Sequence, residues 1–404
     1  MNACDKALGD VATIIMGQSP PGDSYNPDGE GLPLLNGPTE FGLTHPACTL
    51  YTTDSRRDCE PGDLIFCVRG NTAGRMNWAD QQYSLGRGVC AFRGQTPNDT
   101  RYLRYAMEYG LTSLLQRASG STMPNLTQEV ISTFAIAYRP NRVKIAAILS
   151  AYDDLIEVNA RRIAILEEMA RGLYREWFVR FRFPGHEGAR MVESAAGVVL
   201  EGWEARLLSD FVEIHRENVN PGQFPDETFA HFSIPAYDEG CMPVLEKGES
   251  IKSGKFLLSG PCVLLSKLNP RIPRVWFAEP EAVNRAISSS EFLVLTPRPP
   301  ANRVFLYTMC SSQEFLDTIA GLALGTSTSH QRAKPDDLLK LSWTLPSALL
   351  MAEFARQVEP MLDLIRLLRS KNANLRRTRD LLLPRLVAGA VDVAGMELDT
   401  RGEP

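Results

Sequence analysis

The sequence predicts an α/β protein: two mixed α/β domains joined by two long helices in an antiparallel coiled coil, with a pseudo-twofold internal repeat. Three observations carry this. Segments recur at a spacing of about 200 residues. Two apolar seams match position by position. Between the seams, short β-branched or aromatic runs at 64–68, 89–92, 263–265 and 292–295 are punctuated by Gly and Pro turns.

The recurrence runs through the chain in order. Leu8-Gly9-Asp10 with Ile14 is echoed by Leu208-Ser209-Asp210 with Ile214. Pro61-Gly62-Asp63-Leu64-Ile65, leading to Arg69 and Asn71, is echoed by Ser259-Gly260-Pro261-Cys262-Val263, leading to Lys267 and Asn269. A strand-like segment with Trp78 corresponds to one with Trp276. Each half then offers a helical stretch, near 101–117 and 303–320, and a turn, Gly120-Ser121-Thr122 or Gly325-Thr326-Ser327. These marks place the two domains at 1–142 and 202–346 and the long helices at 143–183 and 347–388. Residues 184–201, opening Pro184-Gly185-His186-Glu187-Gly188, read as a linker, and the tail at 389–404 is expected to be poorly ordered.

In the first long helix the seam runs Ile145, Leu149, Tyr152, Ile156, Asn159, Ile163, Leu166, Ala170, Leu173, Trp177. In the second it runs Phe354, Val358, Met361, Ile365, Leu368, Asn372, Leu375, Arg379, Leu382, at a constant offset of 209. An apolar period of about 3.5 residues sustained this far specifies a coiled coil. Two equal seams, each closing a repeat, should pair with each other. Pro140 and Pro184 bracket the first helix, Pro346 and Pro384 the second. Asn159 and Asn372 interrupt the seams, and antiparallel pairing puts them within about half a turn of each other. The amides then either meet and fix the register, or turn to solvent at the seam's edge.

Composition bounds the function. A chain of 404 residues is too long for a single typical core. No apolar run approaches the roughly 20 residues of a membrane span, and Met1-Asn2-Ala3-Cys4-Asp5-Lys6 lacks a signal pattern, so a cytoplasmic protein with no membrane partner is expected. The eight cysteines form no CxxC pair and read as buried free thiols, and the five histidines show no metal-ligand spacing. The net charge of −5 is spread evenly: 12 basic and 14 acidic groups in 1–142, 8 and 9 in 143–201, 14 and 17 in 202–346, 9 and 8 in 347–404. No segment is a basic block. Any DNA affinity must come from local arginine-bearing loops or from a partner.

Catalytic motifs fail on inspection. Gly248 to Lys255 resembles a phosphate loop, but five residues rather than four separate Gly248 from Gly254, and Phe256 replaces the Ser/Thr. Ser19-Pro20-Pro21-Gly22 and Asn269-Pro270-Arg271 are incomplete versions of the Asn/Asp-Pro-Pro-aromatic motif of amino-methyltransferases. No glycine-rich turn suits S-adenosylmethionine, Pro225-Asp226 is followed by no acidic-x-Lys, and no His-centred nucleophile set is recognisable. The absences favour a binding protein over an enzyme. What remains are polar loops in equivalent places. Arg69, Asn71, Thr72 and Arg75 in one half, and Lys267, Asn269 and Arg271 in the other, follow a strand. Ser121, Thr122 and Asn125 are matched by Ser329, His330, Gln331 and Arg332. Arg and Asn are the residues that read guanine and adenine bidentately, so these are the candidate DNA contacts.

Together these segments resemble the specificity subunits of type I restriction–modification systems over almost the whole chain. Ile148-Leu149-Ser150, Asp153-Asp154, Ile156-Glu157-Val158-Asn159, Leu166-Glu167, Met169-Ala170 and Tyr174 through Trp177-Phe178 resemble that family's central helix. Arg379-Asp380-Leu381-Leu382-Leu383-Pro384-Arg385-Leu386 with Gly389 resembles its closing segment. Leu8-Gly9-Asp10, Gly17, Ser19-Pro20, Pro61-Gly62-Asp63 and Arg69-Gly70 resemble the opening of a target-recognition domain. The second half departs at Pro261, where the first has Asp63, and at Leu268, where it has Gly70. The resemblance implies two target-recognition domains, each reading half of a bipartite site in double-stranded DNA. It implies assembly with two methyltransferase subunits and with translocating restriction subunits. No cofactor is expected in this chain; S-adenosylmethionine, ATP and Mg²⁺ belong to those partners. A helix of about 35 residues spans roughly 50 Å, about 15 base pairs, which is compatible with an unread spacer.

Overall fold

The run at 64–68 lacks polar alternation, and the computed structural model shows both of its faces covered. The structure describes residues 4–118, 124–194, 197–322 and 331–397. Two units emerge, one comprising the chain up to Glu157 with that from Asn374 onward, the other Val158–Ala373.

In the first unit a four-stranded antiparallel sheet has the order Ala12–Met16, Val89–Gly94, Leu64–Cys67, Met76–Trp78. Leu64, Phe66, Cys90 and Phe92 pack against Tyr102, Leu103 and Ala106 of the helix Pro97–Leu115. Ile65, Cys67, Val89 and Ala91 pack on Leu35, Tyr83 and Leu85 of a second, mixed sheet. Strands buried on both faces read as continuous apolar runs. The helix starts where Thr96 accepts a hydrogen bond from the Asp99 N–H at 3.2 Å, with Pro97 in the first turn.

The second unit repeats this plan. Its antiparallel sheet runs Val212–His215, Phe292–Pro297, Cys262–Ser266, Val275–Ala278. Its mixed sheet contains one parallel pairing, Ala230 beside Ala286, as Leu34 lies beside Ser84 in the first unit. The stretch expected to be helical at 303–320 forms two helices, Arg303–Cys310 and Gln313–Leu322, because Ser312 Oγ recaps the chain by accepting from the Phe315 N–H. Strand pairing also corrects the sequence alignment by one residue. Cys67 faces Val89 as Ser266 faces Phe292, so Arg69 matches Leu268 and Gly70 matches Asn269. Aligning by polar residue type had put Arg69 on Lys267. Burial alternation, which sets register, puts Val68 there.

The long helices are Arg142–Tyr174 and Ala348–Val387. A π turn, Arg175–Val179, follows the first and carries Trp177 and Phe178 onto Phe354. Pairing within each unit is antiparallel. In the first unit Arg139 Nε donates to the Val387 carbonyl at 2.8 Å and Asp153 meets Arg379. In the second, Glu167 meets Arg369 at 2.6 Å and Asn159 meets Asn372. Ile145, Leu149, Phe354, Val358, Ile365 and Leu368 are buried as the seam requires.

The two seam amides do meet. Asn159 Nδ2 donates to Asn372 Oδ1 at 2.8 Å, and both residues are buried. Replacing one leaves the other's polar group buried without that bond; replacing both removes the demand. Asn159→Leu alone is expected to cost about 1–3 kcal/mol, and Asn159→Leu with Asn372→Leu to be neutral or stabilising. Denaturant unfolding of the four proteins in this cycle checks it; two losses that simply add would contradict the pairing.

Two stretches differ from expectation, the tail and the linker, while the second helix keeps close to its expected span. The second helix runs through Pro360 and past Pro384 to Val387, because buried Val358, Leu362, Leu383 and Leu386 outweigh the lost backbone bonds. It ends at Gly389 (φ +77°), where the Ala390 N–H bonds the Arg385 carbonyl at 2.8 Å and the Gly389 N–H bonds that of Leu386 at 3.1 Å. Residues 390–397 are tied down: Val393 is buried, and Lys144 Nζ donates to the Ala394 and Met396 carbonyls at 2.5 and 2.8 Å; the rest of the expected tail lies outside the described residues. The stretch expected to be a linker contains the hairpin Met191–Ser194 and Gly197–Leu200, its end pinned by buried Leu200.

Candidate functional site

In the first unit the strand Leu64–Cys67 delivers the chain to a bridge with the segment around Asn125. The Leu126 N–H bonds the Val68 carbonyl at 2.9 Å and the Gly70 N–H bonds the Pro124 carbonyl at 3.0 Å. Arg69 and Asn125 face each other across it, and Arg69 Nε donates to Asn125 Oδ1 at 3.0 Å. Gly70 (φ +74°) turns the chain through the left-handed region into the short helix Gly70–Thr72. The return strand closes the loop with a Cys67 N–H to Arg75 carbonyl bond at 2.9 Å. Asn71 and Arg75 are exposed and Thr72 half-buried beside Cys67. The loop is thus a rigid polar tip on a buried strand.

The second unit builds the same device with other side chains. The Ala333 N–H bonds the Lys267 carbonyl at 3.0 Å, the Asn269 N–H bonds the Gln331 carbonyl at 2.8 Å, and Leu268 faces Arg332. Asn269 (φ +49°) occupies the left-handed turn that Gly70 holds in the first unit, and Asn tolerates that conformation. The Ser266 N–H bonds the Arg274 carbonyl at 2.9 Å. The arginine has changed sides of the bridge: Arg69 lies on the strand side in one unit, Arg332 opposite it in the other. Arg332 donates through Nε and Nη2 to Glu291 at 3.0 Å each, which holds its guanidinium above the ordinary value. Arg271 is exposed, Lys267 and Asn269 half-buried. Gln331 Oε1 is buried without a partner among the described residues. Ser121, Thr122, Ser329 and His330 lie outside the described residues.

Each unit also has a cleft between its sheets and its long-helix segments. That of the first unit, about 520 Å³, is lined by Trp78, Arg101, Arg104, Tyr105, Asp153 and Arg379 among others. Its polar groups answer one another: Tyr105 donates to Asp153 at 2.7 Å, and Arg379 pairs with Asp153 and Asp380. This explains an arginine at a seam position. Among the described residues no cluster of His, Cys, Asp or Glu could hold a metal ion, and no helix is long and apolar enough to cross a membrane. Cys48, Cys59, Cys67, Cys90, Cys241, Cys262 and Cys310 are free; burial pushes the Cys59 and Cys262 thiols up to about 12, so those two are unreactive at neutral pH.

Two features escaped the sequence reading. Glu291 reaches Arg332 across 41 positions, with no period to betray it. Leu155, Val158, Ile165 and Met169 form an exposed apolar stripe on the first long helix, and Leu364 and Leu367 are exposed on the second. The first stripe has spacings of 3, 7 and 4 residues, off the seam, and was legible.

A family profile described as the type I restriction modification DNA specificity domain matches residues 4–168. The chain is 32% identical over 158 residues to the MjaX type I restriction enzyme specificity subunit of Methanocaldococcus jannaschii, covering 38% of this chain and 37% of that one. It is 24% identical over 321 residues to the MjaIX specificity subunit of the same organism, covering 75% of this chain and 72% of the relative. The fold matches the crystal structure of the type I restriction–modification S subunit from M. genitalium with a TM-score of 0.59 at 13% identity, over 96% of both chains. Profile, relatives and fold agree with the duplicated architecture: residues 4–168 match the type I restriction modification DNA specificity domain, and the chain is similar over most of its length to specificity subunits of type I restriction–modification systems.

Proposed function

We propose that this chain chooses the DNA sequence on which a type I restriction–modification complex acts in the cytoplasm, each half reading one part of a bipartite duplex target. The carrying observation is the repeated bridge: two units of one plan, each ending its central strand in a differently furnished polar loop. Arg69, Asn71, Thr72, Arg75 and Asn125 contact one half-site in this reading, and Lys267, Asn269, Arg271, Gln331 and Arg332 the other. Ser121 and Thr122, and Ser329 and His330, extend the two sets. Domain limits of 1–142 and 202–346, with helices at 143–183 and 347–388, belong to the same reading.

The chain has no basic block, so most phosphate contacts come from partners. These are two methyltransferase subunits, which hold S-adenosylmethionine, and restriction subunits, which hold ATP and Mg²⁺. The stripe Leu155, Val158, Ile165 and Met169 is the docking face for the former, since exposed apolar patches of this kind mark protein contacts. Ile165→Glu with Met169→Glu is expected to weaken methyltransferase-subunit binding by about tenfold or more, with no change in unfolding temperature. Complexes reconstituted with and without the chain should retain and methylate one duplex site only when it is present. Site-specific methylation in its absence would overturn the reading.

A further inference from the structure

Glu291 lies beside the candidate DNA loop of the second unit, where a carboxylate repels phosphate. Its backbone carbonyl accepts from the Lys267 N–H at 3.0 Å, and its side chain engages Arg332 through Nε and Nη2. The pair is partly exposed, 45% for Arg332 and 26% for Glu291. A guanidinium carries five N–H groups in one plane. The carboxylate takes the side edge, made by Nε and one N–H of Nη2. The far edge, one N–H from each Nη, lies outside those bonds. Guanine presents O6 and N7 as the acceptor pair that suits such an edge. The carboxylate therefore does not compete with the base; it fixes the plane and reduces the rotamer freedom lost on binding.

The first unit supports its arginine at the same edge by another route. Arg69 Nε rests on Asn125 Oδ1, and the place of Glu291 is taken by Gly88, whose carbonyl accepts from the Val68 N–H at 2.9 Å. A Cβ at Gly88 would sit 2.1 Å from the Asn36 carbonyl oxygen, so no acidic side chain fits there. Two different residues thus hold the side edge of an arginine at one bridge. Resting on the reading of these loops as the DNA interface, we infer that Arg332 reads a guanine through its far edge and that Glu291 is the positioning residue that aims it.

The inference has a signature with two signs. Removing Glu291 loosens the aim, so discrimination falls, while loss of a negative charge raises affinity for unrelated duplex. The target is first read from the methylated sites of the complete complex. Duplexes then carry 7-deazaguanine, which lacks the N7 acceptor, at each guanine of the half-site in turn. One such replacement is expected to weaken the parent complex on the order of tenfold and to leave the Arg332→Ala complex unaffected. Glu291→Ala should lose most of this coupling and bind unrelated duplex more tightly; Glu291→Gln, which keeps one acceptor oxygen, should fall between. If Arg332→Ala weakens target binding but no guanine is coupled to it, or if Glu291→Ala keeps the coupling in full, the inference is overturned and the loop remains a DNA contact. If Arg332→Ala changes neither target binding nor the methylated sequence, the loop assignment falls and the inference with it. The pair is partly exposed and lies at the surface, so these variants should fold, which unfolding temperatures verify.

Discussion

Ile365→Asp is expected to destabilise the second unit by about 4 kcal/mol or more, a fall of roughly 10 °C in unfolding temperature for a body of this size. Ile365 is 3% exposed and sits in a core with Val358, Leu362, Ala170 and Trp177. The substitution removes an apolar side chain and introduces a carboxylate among apolar neighbours. Ile156→Asp acts on the equivalent seam position of the first helix, 7% exposed, with the same sign. Ile165→Asp is the control: that residue is 60% exposed on the same first helix and should shift stability by no more than about 0.5 kcal/mol. Thermal unfolding of the three variants separates a buried seam from a merely amphipathic helix. Equal behaviour of Ile365→Asp and Ile165→Asp would remove the seam.

How much of this was legible depended on whether the physics is periodic. The seams were readable because one helix face repeats every 3.5 residues, and the same arithmetic brought Asn159 to Asn372. The α/β plan was readable because strands buried on both faces leave unbroken apolar runs. Register was not, since polar loop residues align by type while strands align by which face is buried; the result was a slip of one at Arg69 and Leu268. Pro384 lies within the expected and observed helix, since packing overrides a local breaker. Residues 390–397 and the hairpin after Arg190 are held by isolated contacts, through Lys144 and Val393 and through Leu200, that leave no pattern. At the candidate site the loops were found but not their supports. The hydrogen bonds from Arg69 to Asn125 and from Arg332 to Glu291 join residues 56 and 41 positions apart. Only the fold makes them neighbours.

The central claim is that each half of the chain reads its own part of the target. Exchanging residues 1–142 for the equivalent segment of a relative tests it most directly. The graft must keep contacts that cross its junction. Arg139 Nε donates to the Val387 carbonyl at 2.8 Å, and Tyr105 donates to Asp153 at 2.7 Å, so the incoming segment needs the arginine and the tyrosine at those places. With them the helix Pro97–Leu115 keeps its seat on the long-helix segments of the first unit, and Arg69, Asn71 and Arg75 are replaced as a set. Methylated sites of the hybrid complex are then sequenced against those of the parent. One half of the recognised sequence is expected to change to that of the relative while the other half stays as in the parent. A hybrid that methylates but alters both halves together, or neither, would contradict the account.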